Sequence, residues 1–219
     1  GSGLTAGGYT FQYDLAATAT CSGDQSTFTI TVSNQETAGA DNSLTLCNSS
    51  GSMIDLNTAL SGNSTAGTWA ETTSSGGFTD VTGVLDGSGL TAGQYDFTYT
   101  LNSVSPCVLD VADFTVTISN QESAGLGDQT LTLCNSSGST IDLNSALNGN
   151  SGAGTWAEIT SSGQFTSGTG LFDASGLPSG QYDFVYTVNS ISPCILDIAD
   201  FTVTISNQAN AGLDGNTAV

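Results

Sequence analysis

The stretch Gly93-Gln-Tyr-Asp-Phe-Thr-Tyr-Thr-Leu101 decides the fold class. Tyr95, Phe97, Tyr99 and Leu101 alternate with Gln94, Asp96, Thr98 and Thr100. In an extended chain successive side chains point to opposite faces, so the four apolar groups share one face and the polar groups the other. A helix would scatter them around its circumference. Phe114, Val116 and Ile118 alternate in the same way with Thr115, Thr117 and Ser119, which predicts a second strand. Shorter candidates are Leu44–Cys47, Met53–Leu56, Gly67–Thr72 and Gly77–Thr79, separated by turns of Gly, Ser, Asn and Asp. Only Asp55–Leu60 hints at a helical turn. Several strands without a convincing helix predict an all-β fold, an antiparallel sandwich of immunoglobulin-like architecture.

Outward from this stretch the sequence repeats. Cys47-Asn-Ser-Ser-Gly-Ser-Met-Ile-Asp-Leu returns 87 residues later, from Cys134, with Thr in place of Met. Thr68-Trp69-Ala70 returns as Thr155-Trp156-Ala157, and Gly93-Gln-Tyr-Asp-Phe97 as Gly180-Gln-Tyr-Asp-Phe184. The opening Gly1-Ser-Gly-Leu-Thr-Ala-Gly7 recurs at 87–93, carrying Cys21 onto Cys107 and Phe28 onto Phe114. The organisation expected is the C-terminal half of a repeat (1–36), complete repeats at 37–123 and 124–210, and the start of a further one (211–219). Read this way, the chain is a stretch of a longer array, whose neighbouring repeats are its first partners. Residues 1–36 would then supply two strands with Tyr9, Phe11, Tyr13, Leu15, Phe28, Ile30 and Val32 facing inward.

Of the 219 residues, 20 are Asp or Glu and none is Lys, Arg or His, a formal charge of −20. Side chains therefore form no ion pairs, and no imidazole or amine is present to act as base or ligand. The chain would repel nucleic acid, whose binding depends on basic groups, and no apolar run is long enough to cross a bilayer as a helix. A carboxylate pair for glycoside hydrolysis and an oxygen-only calcium site survive this filter. Catalytic carboxylates reproduced in every repeat would be unusual, so no enzyme is expected.

The cysteines give the strongest local signal. Cys47 and Cys107 lie 60 residues apart, as do Cys134 and Cys194. The economical expectation is one bridge per repeat, Cys47–Cys107 and Cys134–Cys194, with reduced buried thiols as the alternative. Such a bridge would add about 4 kcal/mol in the chain-entropy model and implies an oxidising, extracytoplasmic setting. Cys21 has no partner 60 residues upstream in this sequence.

Trp69 and Trp156 are expected in the core, packed between the sheets beside the disulfide; a sugar-stacking platform is the alternative. Tyr95 and Tyr182, at the entrance of a long strand, suit a tyrosine corner. For calcium, the one candidate cofactor, the ligands would be Asp110 with Asp113 and Asp197 with Asp200, or the junction acids Glu36, Asp41, Glu122 and Asp128. The competing expectation is a solvated acidic surface. Asn48-Ser-Ser, Asn63-Ser-Thr and Asn135-Ser-Ser fit the short glycosylation sequon.

Gly-Thr-Trp-Ala-Glu, Gly-Leu-x-x-Gly-Gln-Tyr-Asp-Phe-x-Tyr-Thr, Ser-Pro-Cys and Ala-Asp-Phe-Thr-Val-Thr-Ile together resemble the immunoglobulin-like repeats of very large surface adhesins of Bacteroidota, including gliding-motility adhesins exported by the type IX secretion system. The resemblance implies display at the cell surface as part of a stalk or filament for attachment or gliding. A structural and adhesive repeat, alone or bundled with other copies in a filament, is the first functional expectation. The others are a module that binds a glycan or surface ligand and an accessory segment of a secreted hydrolase.

Overall fold

A computed structural model describes residues 3–63, 66–101 and 105–209. The tail from Ala211 to Val219, expected to open a further repeat, and Ser64 and Thr65 of one sequon lie outside the described residues. The chain divides into two compact units: Gly1–Leu46 with Gly51–Ile118, and Cys47–Ser50 with Ser119–Val219.

The first unit begins with a two-stranded ribbon in which β1 (Gly7–Leu15) pairs antiparallel with β2 (Asp24–Val32), from Gly7 opposite Val32 to Leu15 opposite Asp24. The strands that follow are β3 (Asn42–Cys47), β4 (Met53–Asp55), β5 (Thr68–Glu71), β6 (Phe78–Thr79), β7 (Val84–Asp86), β8 (Gly93–Leu101) and β9 (Asp110–Ser119). They form two sheets, ordered β3-β9-β8-β5 and β4-β7-β6. A short 3-10 turn, Leu56–Ala59, lies at the hinted helical position; the Asp55 side chain caps it by accepting from the Asn57 N–H.

Pattern becomes packing along β8 and β9, where Phe97, Tyr99, Leu101, Phe114, Val116 and Ile118 are buried together with Leu56, Trp69 and Leu85. The ribbon keeps the register of this hairpin, since Gly93 faces Ile118 as Gly7 faces Val32. Its matching residues Phe11, Tyr13, Leu15, Phe28 and Ile30 are exposed, however, because no second sheet covers them among the described residues. Phe11 and Phe28 stack on each other, with ring centroids 5.3 Å apart.

The second unit repeats the design with β10 (Gln129–Cys134), β11 (Thr140–Asp142), β12 (Gly154–Glu158), β13 (Phe165–Thr166), β14 (Leu171–Asp173), β15 (Gly180–Val188) and β16 (Asp197–Ser206). The sheet orders are β10-β16-β15-β12 and β11-β14-β13. Both units carry all-β, immunoglobulin-like sandwiches. Within the largely antiparallel second sandwich, one pair is parallel: β10 runs alongside β16, from Gln129 opposite Phe201 to Cys134 opposite Ser206.

That parallel pair overturns the expected disulfides. Cys134 lies beside Ser206, the last residue of β16, whereas Cys194 precedes Asp197, the first. About nine residues of strand, roughly 30 Å at ~3.3 Å per residue, separate the two positions. A disulfide requires Cα atoms within about 7 Å, so Cys134–Cys194 cannot form across one sandwich. Cys47 and Cys107 are at opposite ends for the same reason: Asn48 N donates to Ser119 O at 3.0 Å, at the end of β9, while Cys107 precedes its start at Asp110. The bridge formed is Cys47–Cys194, with Cα atoms 5.0 Å apart and a sequence separation of 147.

Candidate functional site

Two regions concentrate side-chain chemistry: the tryptophan end of each sandwich, and the cysteine knot in the second unit. Trp156 is anchored by β12, with its ring buried and its centroid 4.9 Å from that of Tyr186 and 5.0 Å from that of Phe201. Its Nε1 donates to Asn144 Oδ1 at 3.0 Å. The Asn144 Nδ2 donates in turn to Thr169 O at 2.6 Å and Asp142 Oδ1 at 2.8 Å, which pins the 3-10 turn Leu143–Ala146 against the indole. Gly170 completes the seat: its φ of +71° belongs to the left-handed region, and a Cβ there would stand 2.7 Å from Asn144 Nδ2. Trp69 repeats this environment with Tyr99, Phe114 and Asn57 Oδ1, the last at 3.0 Å. Neither indole offers its face to solvent.

In the first unit a cavity of about 460 Å³ opens over the edge of Trp69, with Tyr99, Asn57, Asp80 and Val81 in its lining. Val81 is almost fully exposed at the lip. The positions of Asp80 and Val81 are taken by Ser167 and Gly168 in the following repeat. The floor of the cavity therefore recurs while its lip does not.

Tyr95 and Tyr182 each tie a hydroxyl back four residues, to Thr91 O and Pro178 O, both at 3.0 Å. Tyr9 does the same toward Thr5 O at 2.8 Å, a shared device that fixes the entrance to the long strand.

Three of the eight acids proposed as calcium ligands hold backbone N–H groups. Ala38 N donates to Asp110 Oδ2 at 2.8 Å, and Ala124 N to Asp197 Oδ2 at 2.9 Å. Asp41 Oδ1 accepts from the Asp113 N–H at 2.9 Å, and Glu122 Oε2 from Ser151 Oγ at 2.8 Å. The Ala38 N–H, supported by the Thr37 side chain, lowers the Asp110 pKa below the ordinary carboxylate value. Glu36 is half-buried, Asp200 is exposed, and Asp128 adopts a φ of +57°. Among the described residues no three acids or cysteines converge as a metal-ligand set.

The cysteine knot was not anticipated. Cys47 and Cys194 are both buried, and the residues beside them meet one short segment, 119–121. The backbone N–H of Gln121 donates to Asn48 Oδ1 at 2.8 Å, and Asn48 Nδ2 donates to Asn120 Oδ1 at 3.0 Å. Gln121 Nε2 donates to Ile195 O at 2.7 Å, while its Oε1 accepts from Ile195 N at 3.3 Å and lies 3.4 Å from Cys47 Sγ. The side-chain amide thus makes both hydrogen bonds that a neighbouring strand would make. In the first unit Gln35 occupies the matching place: its Nε2 donates to Val108 O at 2.9 Å, and Cys107 Sγ donates to Asn34 O at 3.2 Å. Asn135 repeats the role of Asn48, with its N–H on Ser206 O at 3.0 Å and its Oδ1 accepting from Gln208 N at 2.8 Å. Cys134 and Cys21 are present as thiols. The sequence marks this segment by the recurrence of Ser-Asn-Gln at the ends of β2, β9 and β16, at 33–35, 119–121 and 206–208, without giving the pairing of the cysteines.

No family model matches the chain, and no curated protein matches it. Among solved structures, it is similar to the I-band fragment I67–I69 of titin at 11% identity and a TM-score of 0.43, over 92% of this chain and 75% of that one. Domains 1–4 of Sidekick-1 match at 13% identity and a TM-score of 0.40, over 88% of this chain and 60% of theirs. Repeats EC22–24 of mouse cadherin-23 match at 9% identity and a TM-score of 0.34, over 92% and 74%.

Proposed function

We propose that the chain is a run of structural and adhesive repeats, each of about 87 residues, in an extracellular stalk or surface filament. Its task is to carry distance and force between a cell and a binding region, in the manner of the large Bacteroidota surface adhesins that its sequence resembles. The observation that carries this reading is the Cys47–Cys194 bridge, whose cysteines belong to different sequence repeats and whose surrounding knot is built from residues that recur. A disulfide requires an oxidising compartment, which suits display outside the cell. The acidic surface keeps such a chain soluble without ion pairs.

The glycan-binding alternative would be housed in the cavity over Trp69. A site meant to act in every repeat would keep its lip, and here Asp80 and Val81 give way to Ser167 and Gly168.

Antibodies raised against residues 37–210 should label intact cells that produce the protein, and excision of that segment should weaken attachment. Labelling only after permeabilisation would overturn the proposal.

A further inference from the structure

We infer that the Cys47–Cys194 bridge is a mechanical bypass: tension applied along the chain crosses from Cys47 to Cys194 through the sulfurs, and the residues between them stay out of the loaded path. This goes beyond the stalk reading, because it follows from where the bridge closes the chain, whatever is held at the two ends.

The bridge spans 147 positions of sequence, and the closed loop contains β4 to β15. A force that arrives through β3 reaches Cys47, passes to Cys194, and leaves through β16. The remaining strands of both sandwiches can open only by thermal fluctuation, since a closed covalent loop that is bridged at its base transmits no tension around its perimeter.

Four strands, β1, β2, β3 and β16, are left in the path. β16 lies between β10 and β15, with a parallel register of six residues on one side and an antiparallel register of nine on the other. Because β10 and β15 lie inside the loop, tension carried along the already extended β16 puts no load on these hydrogen bonds. β3, a sheet edge, runs the same way as β9: Asp113 N donates to Asp41 Oδ1 near its start, and Asn48 N donates to Ser119 O beyond its end. The Gln121 amide, which clasps Ile195 beside the bridge, holds the base of the loop without being part of the covalent path.

The test is single-molecule force extension of the full oxidised chain, held by tags at both ends. Outside the loop, residues 1–47 and 194–219 can yield only about 250 Å when fully extended, at ~3.4 Å per residue. Adding a phosphine reductant under constant force should release a further ~500 Å, the contour of the bridged segment. A hidden length near 200 or 400 Å, the mark of one or two 60-residue loops, or no reductant-dependent step, would overturn the inference. A ten-residue Gly/Ser insertion after Ser75 should leave the oxidised length unchanged, whereas the same insertion after Glu36 should add about 35 Å. Lengthening by the insertion after Ser75 would also overturn it. The double variant Cys47→Ser/Cys194→Ser should show no reductant step, and if it does not fold, the step in the oxidised parent chain still decides.

Discussion

Trp156→Ala should remove a large part of the stability of the second sandwich. The indole is buried to 6% exposure against Tyr186 and Phe201. A side chain of this size buries about 150–250 Å², which at ~25 cal/mol per Å² corresponds to roughly 4–6 kcal/mol. Part of that is recovered by the remaining methyl group and by relaxation, and measured truncations of buried aromatics cost about 3–5 kcal/mol. The lost hydrogen bond adds little, because Asn144 is exposed and water can replace the indole N–H. We take about 4 kcal/mol. A domain of this size has only about 4–13 kcal/mol in all. At about 4–8 °C per kcal/mol, its melting temperature should fall by about 20 °C. Calorimetry of the whole chain gives the shift, and the fluorescence of Trp69, then the sole tryptophan, reports the first sandwich separately. Trp156→Phe should cost far less. A loss below about 1 kcal/mol for the alanine variant would refute the core assignment and make the indole a surface group.

Other outcomes follow from the same geometry. Cys47→Ser with Cys194→Ser should cost about 5 kcal/mol in the chain-entropy model, and peptide mapping without reductant should find Cys47 joined to Cys194; a Cys47–Cys107 peptide would contradict the bridge. Asp110→Asn should lower the melting temperature at neutral pH, where the ionised carboxylate holds the Ala38 N–H. Because the folded pKa is lowered, that contribution is complete above the ordinary value of about 3.9 and is lost as pH falls through the folded one, so the gap between variant and parent should close in acid. Millimolar calcium should raise the melting temperature no further than sodium of equal ionic strength, since screening of the −20 charge acts alike for both; a saturable excess would mean a specific site.

The sandwich was legible because its strongest strands are amphipathic at period two. Tyr95 to Leu101 and Phe114 to Ile118 announce their inward faces, and the repeat then transfers the assignment to Tyr182–Val188 and Phe201–Ile205. β7, three residues long, was missed because Val84-Leu-Asp86 is too short to show a period. The bridge was illegible for a different reason. A spacing of 60 occurs twice, and 147 is that spacing plus one 87-residue unit, so both fit the period and periodicity alone does not give the pairing. The choice is made by the parallel pairing of the first and last strands, which carries Cys47 to the end of the sandwich remote from Cys107. Trp69 and Trp156 were read correctly as buried, but no disulfide crosses the core beside them among the described residues.

In the function proposed above, this chain carries distance and load, not ligand specificity. The most direct measurement is binding of the oxidised 219-residue chain to a broad glycan array at physiological salt. The account predicts no saturable binding to any glycan. Saturable binding that is abolished by Asp80→Asn or Val81→Asp at the lip of the Trp69 cavity would contradict it and make the repeat a recognition module.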